Sequence, residues 1–448
     1  TNTGSTSAIA RTWFAFCAVR AAATVMPHTP QAVIVLRSIC KPAPAEGSEP
    51  AMDTANAVFL FASVITVVWA MQTDECLHPV RPAIFIVWHL AHYYMDVEGY
   101  VRRSLKNEIP DEEILRKLQE RILEIKNIDT AFAAEFARAV LDEVRTTEGL
   151  TGDLFTYEHA GVTMGEFGVG SRGSGDFYAH RKIAEVIGKT SADVGVDQMD
   201  DGGVVRANGT YVITTVDGMH SRLSDFPFLA GFHATRATLR DVYVMGAQPV
   251  GLISDVHIAD DGDVAKLFDY TAGITTVSDA LHVPLIAGST LRIGGDMVLG
   301  DRMTGCVGVV GVADHVTARK SIAPGDVLLM TEGSGGGTIA TAALYSGNAD
   351  VVEETINLHF LKACDALINA PVFPHIHAMT DVTNGGLRGD VFEMAETAQC
   401  TVVVDDAPLR GLVAPKVLAL LDKLGIDYLG VSLDALLVVA PPEYADEI

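Results

Sequence analysis

The stretch Ala378-Met379-Thr380-Asp381-Val382-Thr383-Asn384-Gly385-Gly386-Leu387 decides how the chain is read. Asp381 stands between β-branched residues, and a glycine pair follows closely. The pattern predicts a strand that ends in a tight turn and restarts as a helix. Glycine lets the backbone come close to a ligand there, and a carboxylate at a strand end can face a hard cation.

Segments of the same kind recur upstream in a fixed order. Asp197-Gln198-Met199-Asp200-Asp201-Gly202-Gly203 precedes one β-branched run, and Thr214-Thr215-Val216-Asp217-Gly218 ends another. Taken singly, an Asp beside a Gly reads as a turn residue. Carboxylates at the ends of neighbouring strands would share one rim and could converge on a divalent cation. Gly231 to Met245 reads as an apolar helix carrying Arg240-Asp241-Val242, stopped at Gly246 and kept from resuming by Pro249. Asp241 in such a helix has to be paired or bound. Val250 to Val256 and Leu285-Ile286-Ala287-Gly288-Ser289-Thr290 read as strands, and Thr304 to Val312 as the strand that closes the first sheet. Ala323-Pro324-Gly325-Asp326 opens a further turn and strand. Ser334-Gly335-Gly336-Gly337-Thr338 then leads into an Ala-rich helix, an anion cradle or a plain turn. His375 and His377, just ahead of the Asp381 strand, read as acid–base candidates or as structural residues.

Gly165 to Asp176 is dense in glycine and reads as a mobile loop with free N–H donors for a phosphate, or as a linker. Arg172, His180, Arg181 and Lys182 add positive charge beside it. Gly188-Lys189-Thr190 looks like the end of a P-loop, but Ile183 occupies the place of the required glycine, which excludes that motif.

A chain of 448 residues with 49% apolar and 20% charged residues has the size for two or three globular domains. A net charge of −25 argues against nucleic acid and anionic membranes as partners. It also makes any polyphosphate ligand dependent on bridging cations. The six cysteines include no CxxC pair, so no zinc or redox motif is supported. Cys306, Cys364 and Cys400 lie in apolar or helical contexts and read as buried thiols, which places this half of the chain in the cytoplasm.

Residues 1–94 differ from the rest. They begin at Thr1, include the low-complexity run from Lys41 to Gly47, and hold an apolar stretch from Ala57 to Met71. That stretch falls short of the roughly 20 residues that span a bilayer. Composition changes abruptly at Met95, so the upstream part reads as a mis-assigned start, with a membrane-proximal anchor as the alternative. Residues 95–164 read as a helical extension. Pro110 with Asp111, Glu112 and Glu113 suits a first turn, and Leu115, Leu118, Ile122 and Ile125 make an apolar face. A second helix through Thr130 to Val144 completes a hairpin that packs on the core or on a partner subunit.

Taken together, the Asp-Asp-Gly-Gly, Thr-Thr-Val-Asp-Gly, Arg-Asp-Val…Met-Gly-Ala-Gln-Pro and Pro-Gly-Asp segments resemble the superfamily of aminoimidazole ribonucleotide synthetase over about residues 165–440. The run from Met379 to Leu387 is most similar to selenophosphate synthetase. The resemblance implies an α/β (α+β) fold of two domains, 165–315 and 316–448. The first would form a barrel across a homodimer. It also implies ATP and Mg²⁺, with phosphoryl transfer to a small-molecule acceptor. Carried over by motif, Asp201, Asp217 and Asp381 would hold the metal. Thr215, Asp241 and Thr290 would lie near the nucleotide. The N–H groups of Gly168, Gly170, Gly173 and Gly175 would close over the phosphates, and Arg172, Lys182 and Asp381 would serve catalysis. The chain departs from the pattern in three places. No Cys lies between Cys76 and Cys306, where selenophosphate synthetases carry a Cys or selenocysteine with a nearby Lys. Ser289 stands where the kinases have Asp. The last residues, Glu447-Ile448, carry no Cys tail like that of the carbamoyl dehydratases. A non-catalytic nucleotide-binding maturation or assembly protein, and a carbamoyl dehydratase-like factor, stay open as alternatives.

Overall fold

The computed structural model describes residues 94–448 apart from 171, 172, 384, 406 and 407, together with short strands at 34–36 and 41–42. The reading of the upstream segment as a mis-start or anchor therefore lies outside the described residues, as does Arg172.

The extension holds three helices, one ahead of the expected hairpin: α1 Val97–Lys106, α2 Asp111–Ile125 and α3 Thr130–Glu148. The Asp96 carboxylate caps α1 through the Gly99 N–H at 2.8 Å, and Asp129 caps α3. Pro110 stands at the start of α2 with three acids in the first turn. Ile114, Leu118 and Ile122 are the residues α2 buries; with Val97, Val101, Ala137 and Val140 they form a separate apolar cluster. That cluster reaches Leu299, and the strand Tyr94–Asp96 pairs with Val298–Gly300. Lys126 ties the extension to Asp260 and Asp261.

Next comes a single turn, Met164–Phe167, closed by a reciprocal Thr163–Glu166 cap, and then α4, Ser174–Ile187. Part of the expected Gly-rich loop is thus helix. Gly175 permits it: a Cβ there would lie 1.8 Å from the Phe167 carbonyl oxygen. Phe177 stacks on Phe392 at 5.2 Å and Arg181 pairs with Glu396 at 2.7 Å, so tertiary docking overrides the poor helix propensity of glycine.

The first sheet comprises β1 Gly203–Ala207, β2 Thr210–Gly218, β3 Gln248–Ile258, β4 Leu285–Arg292 and β5 Met303–Ala313, in the order β1-β2-β5-β3-β4. Only β3 and β4 are parallel, joined through α6, Ala265–Leu281. β5 was expected to close this sheet; it is the central strand, and β1 and β4 are the edges. Its glycines explain the place. A Cβ on Gly305 would lie 2.5 Å from the Asp255 carbonyl oxygen, and one on Gly308 2.9 Å from the Ile253 side chain. Helix α5, Pro227–Val244, starts four residues before the expected Gly231 and packs with α6 on one face of the sheet. The two helices touch backbone to backbone at Gly231 and Gly273.

The second sheet has β6 Val327–Met330, β7 Ala378–Asp381 and β8 Leu436–Ala440, with β8 between β6 and β7 and antiparallel to both, and the short strand Ile34–Leu36 paired antiparallel to β6 at the edge. Every residue of β6, β7 and β8 is buried. Helices α7 Gly337–Tyr345, α8 His359–Ile368, α9 Gly386–Ala398 and α10 Pro415–Leu424 complete this half. Cys364 and Cys400 are buried free thiols, and Cys306 is half-buried and free. Among the described residues no helix is long and apolar enough to cross a membrane.

Candidate active site

The alternation of β2 sends Ile213, Thr215 and Asp217 to the side that α5 covers. Thr215 donates to the Thr238 carbonyl oxygen at 3.0 Å, which fixes β2 against α5 one turn from Asp241. Part of Asp241 reaches solvent, yet protein surrounds its carboxyl on most sides. Burial pushes that carboxyl well above the usual range, and Asp217, Asp381 and Asp201 push it further; Arg240 pulls the other way. Four aspartates from four separate segments therefore share one electrostatic neighbourhood.

Two of them are held by buried arginines. The Asp381 carboxylate lies 2.9 Å from Arg240 Nε. Arg240 and Arg236 both reach Asp434 as well. Asp201 pairs with Arg319 at 2.6 Å and accepts from Thr380 Oγ1 at 2.6 Å. Arg319, fully buried, also binds Glu393 at 2.9 Å, Thr380 at 2.9 Å and the Met199 carbonyl oxygen at 2.5 Å. Its own N–H donates to Asp200 at 3.0 Å. Burial raises the Asp200 carboxyl to about 6 against the pull of Arg319. Among the described residues no three His, Cys, Asp or Glu side chains stand together as a metal-ligand set. The chemistry of the donors nonetheless fits Mg²⁺, because a carboxylate crowded by three others in a buried place is stabilised by a hard divalent cation.

The other expected residues are spread out. Lys182 pairs with Glu185 at 2.7 Å on a half-exposed face and lies 5.6 Å from the Tyr178 ring centre, so its ammonium is committed away from the aspartates. Thr290 is exposed on the edge strand β4, level with Val256. The Gly168 N–H bonds the Met164 carbonyl at 3.0 Å, and the Gly170 N–H bonds Asp176 at 2.9 Å. Those two donors were expected to face phosphates and are used inside the chain instead. Gly173 and Gly175 open α4, where first-turn N–H groups have no partner within the helix. His377 pairs with Asp326 at 2.7 Å and His375 stacks on Tyr444, both structural settings.

Sequence reading missed Arg236, Arg319, Glu393 and Asp434. Arg236 could have been found: an arginine in an apolar helix poses the same question as Asp241. Arg319 and Asp434 carry no local signal.

His233 offers a test by pH. It is buried on α5, and burial first, then Arg240 and His220, depress its pKa from 6.5 to about 3. The folded state keeps it neutral, while the unfolded chain takes up a proton below 6.5. Stability is thus complete above pH 6.5 and falls as pH drops towards 3, by up to about 1.4 kcal/mol per unit from this group. Urea midpoints between pH 7 and 5 should fall more steeply for the wild type than for His233→Gln; parallel curves would remove this role.

The sequence matches two family descriptions: AIR synthase related protein, N-terminal domain, at residues 199–313, and AIR synthase related protein, C-terminal domain, at residues 323–448. An uncharacterized protein of Methanocaldococcus jannaschii is 55% identical over 366 residues, covering 79% of this chain and 81% of that one. Selenide, water dikinase of Myxococcus xanthus is 32% identical over 221 residues, covering 47% of this chain and 59% of that one. Carbamoyl dehydratase HypE of Rhodobacter capsulatus is 32% identical over 219 residues, covering 47% and 61%, so the chain spans less than two thirds of either enzyme. Among solved structures, a HypE–HypF complex aligns with a TM-score of 0.46 at 18% identity, over 60% of this chain and 86% of that one. With both domains matched in order, and with a relative of this identity over most of both lengths, the chain belongs to the AIR synthase related family.

Proposed function

We propose that the chain is a Mg²⁺-dependent enzyme that transfers a phosphoryl group from ATP to a small-molecule acceptor. The observation that carries this reading is that Asp201, Asp217 and Asp381, from three other segments, all act on the buried Asp241 carboxyl, with Asp201 and Asp381 themselves held by buried arginines. The likeness to selenide, water dikinase supports the same chemistry.

Asp201, Asp217 and Asp381 would hold Mg²⁺, with Asp241 assisting. The ion, when bound, would neutralise the phosphate oxygens. Asp381 would exchange Arg240 for the cation, and Asp201 would exchange Arg319. Gly173 and Gly175 would offer first-turn N–H groups to the phosphates. Arg172 would add charge at the transferring group, and Lys182 would do so by leaving Glu185. Positioning and electrostatics carry most of the catalysis in such transfers, so a dedicated nucleophile is not required.

Phosphorus NMR of the full chain with Mg-ATP and a panel of acceptors, selenide and thiamine phosphate included, tests this. A new phosphorus resonance or release of ADP or AMP supports the enzyme. ATP that binds and stays intact across the panel supports a nucleotide-binding protein instead, a reading favoured by the arginines that now occupy Asp201 and Asp381.

The second part of the proposal is a homodimer through the open face of the first sheet. Helices cover one face. On the other, Val216, Ile253, Ile286 and Leu291 are exposed, and Val216, Gly308, Ile253 and Ala287 lie in register across four strands. A continuous apolar face of this kind marks an interface. Val216→Lys costs the monomer little, since Val216 is 66% exposed. It should convert a dimer to a monomer in sedimentation velocity; an unchanged dimer would move the interface elsewhere.

A further inference from the structure

Helix α7 begins behind Gly335-Gly336-Gly337 with no side-chain cap. Its first-turn N–H groups therefore need partners from outside the helix. One stripe of α5 supplies three basic side chains at this place: His233, Arg236 and Arg240, spaced by three and four residues. They are only 6%, 1% and 7% exposed. A Cβ on Gly336 would lie 3.7 Å from Arg240 Nη1, and one on Gly337 would lie 3.5 Å from His233 Cβ. Arg236 donates to the Gly335 carbonyl oxygen at 3.4 Å. His233 Nδ1 and Arg236 Nε have no hydrogen-bond partner, and Arg240 Nε faces only the Asp381 carboxylate, at 2.9 Å. Buried polar atoms are rarely left in that state, and two beside one helix N-terminus point to something that binds there.

The charges say what it is. Arg236 and Arg240 are balanced by Asp434 and Asp381. If Asp381 turns to a metal ion, as the proposed function requires, Asp434 alone faces two guanidinium groups. One buried positive charge is then uncompensated. Asp434 and Phe360 also line a cavity of about 30 Å³, and Arg240 stands over the Phe360 ring at 5.9 Å, so the packing already leaves a little space here.

We infer that the place between α5 and the N-terminus of α7 is the subsite for an anionic group of the acceptor, a phosphate or a carboxylate. That anion takes the position on Arg240 that Asp381 gives up, with Arg236 and the Gly336 and Gly337 amides as its other ligands; the Gly335 N–H is held by the Leu433 carbonyl oxygen at 2.7 Å. The inference rests on the Mg-ATP reading for the movement of Asp381. It makes acceptor binding depend on the loaded metal site, through Arg240.

The test is calorimetric, on the full chain. Inorganic phosphate is titrated onto protein saturated with Mg²⁺ and a non-hydrolysable ATP analogue, and acetate is titrated in a parallel arm. Saturable binding of one of them is expected; phosphate binding tighter indicates a phosphomonoester, acetate a carboxylate. Gly336→Ala adds a methyl beside Arg240 at ordinary contact distance and should weaken that binding at least tenfold, while the analogue binds as before. Asp381→Asn supplies a nucleotide-free arm: with Arg240 released, it should bind the anion more tightly than metal-free wild type. Binding unchanged by Gly336→Ala, or absent in both the loaded protein and Asp381→Asn, overturns the subsite. An analogue that fails to bind while Asp381→Asn takes up phosphate overturns the nucleotide reading and leaves the subsite standing.

Discussion

Asp381→Asn is expected to lower ATP turnover by about 100-fold or more while leaving the fold intact. Asp381 ends β7, with its carboxylate 1% exposed and 2.9 Å from Arg240. Asparagine matches its shape but cannot hold a divalent cation with a full negative charge. The folding side of the ledger is mild. Removing the charge takes a carboxylate partner from Arg240, which destabilises. It also relieves Asp241, for which Asp381 is one of the strongest sources of repulsion, and Arg240 keeps Asp434. ADP release under Mg-ATP and a circular-dichroism melt, measured on the same sample, separate the two effects. Undiminished turnover would remove Asp381 from the metal.

The larger effect on stability belongs to Arg319→Met. This guanidinium has no exposed surface and answers Asp200, Asp201 and Glu393 together, with Thr380 and the Met199 carbonyl completing its shell. Methionine fills much of the volume and leaves three acidic groups without their cation. Breaking a buried ionic cluster from one side costs about 3–5 kcal/mol. Arg319→Lys restores a charge but not the planar fork that reaches several acceptors at once, so it should fall between. Urea midpoints order the three proteins. A loss below about 1 kcal/mol for the methionine variant would show that solvent or rearranged neighbours already satisfy these acids.

The segments that carry chemistry were legible because each is local. Asp381, Thr383 and Gly385-Gly386 announced a strand, a turn and a helix, and the structure has β7 followed by α9. Asp201, Asp217 and Asp241 each stood out by a neighbouring glycine or by charge in an apolar helix, and the charges of Asp201 and Asp217 are felt at the Asp241 carboxyl. What stayed hidden is what distance in sequence hides. Arg319 meets Asp201 across 118 residues and Thr380 across 61, and nothing near it in the chain foretells either. The place of β5 was misread because glycines look like a weakness in a strand when its two neighbours are not known. The Gly-rich segment was misread for the converse reason. Glycine frequency describes the isolated backbone, whereas Phe177 and Arg181 hold α4 on α9.

Arg319 lies between the two matched domains, after residue 313 and before residue 323. The charges that neutralise it come from Asp200 and Asp201 on one side of that stretch and from Glu393 on the other. Neither half of the molecule is electrically complete by itself. A gene split at this point would give one product with surplus buried acid and another with a mismatched residue of the opposite sign or an acid of its own. Each half therefore depends on the other to neutralise what it buries.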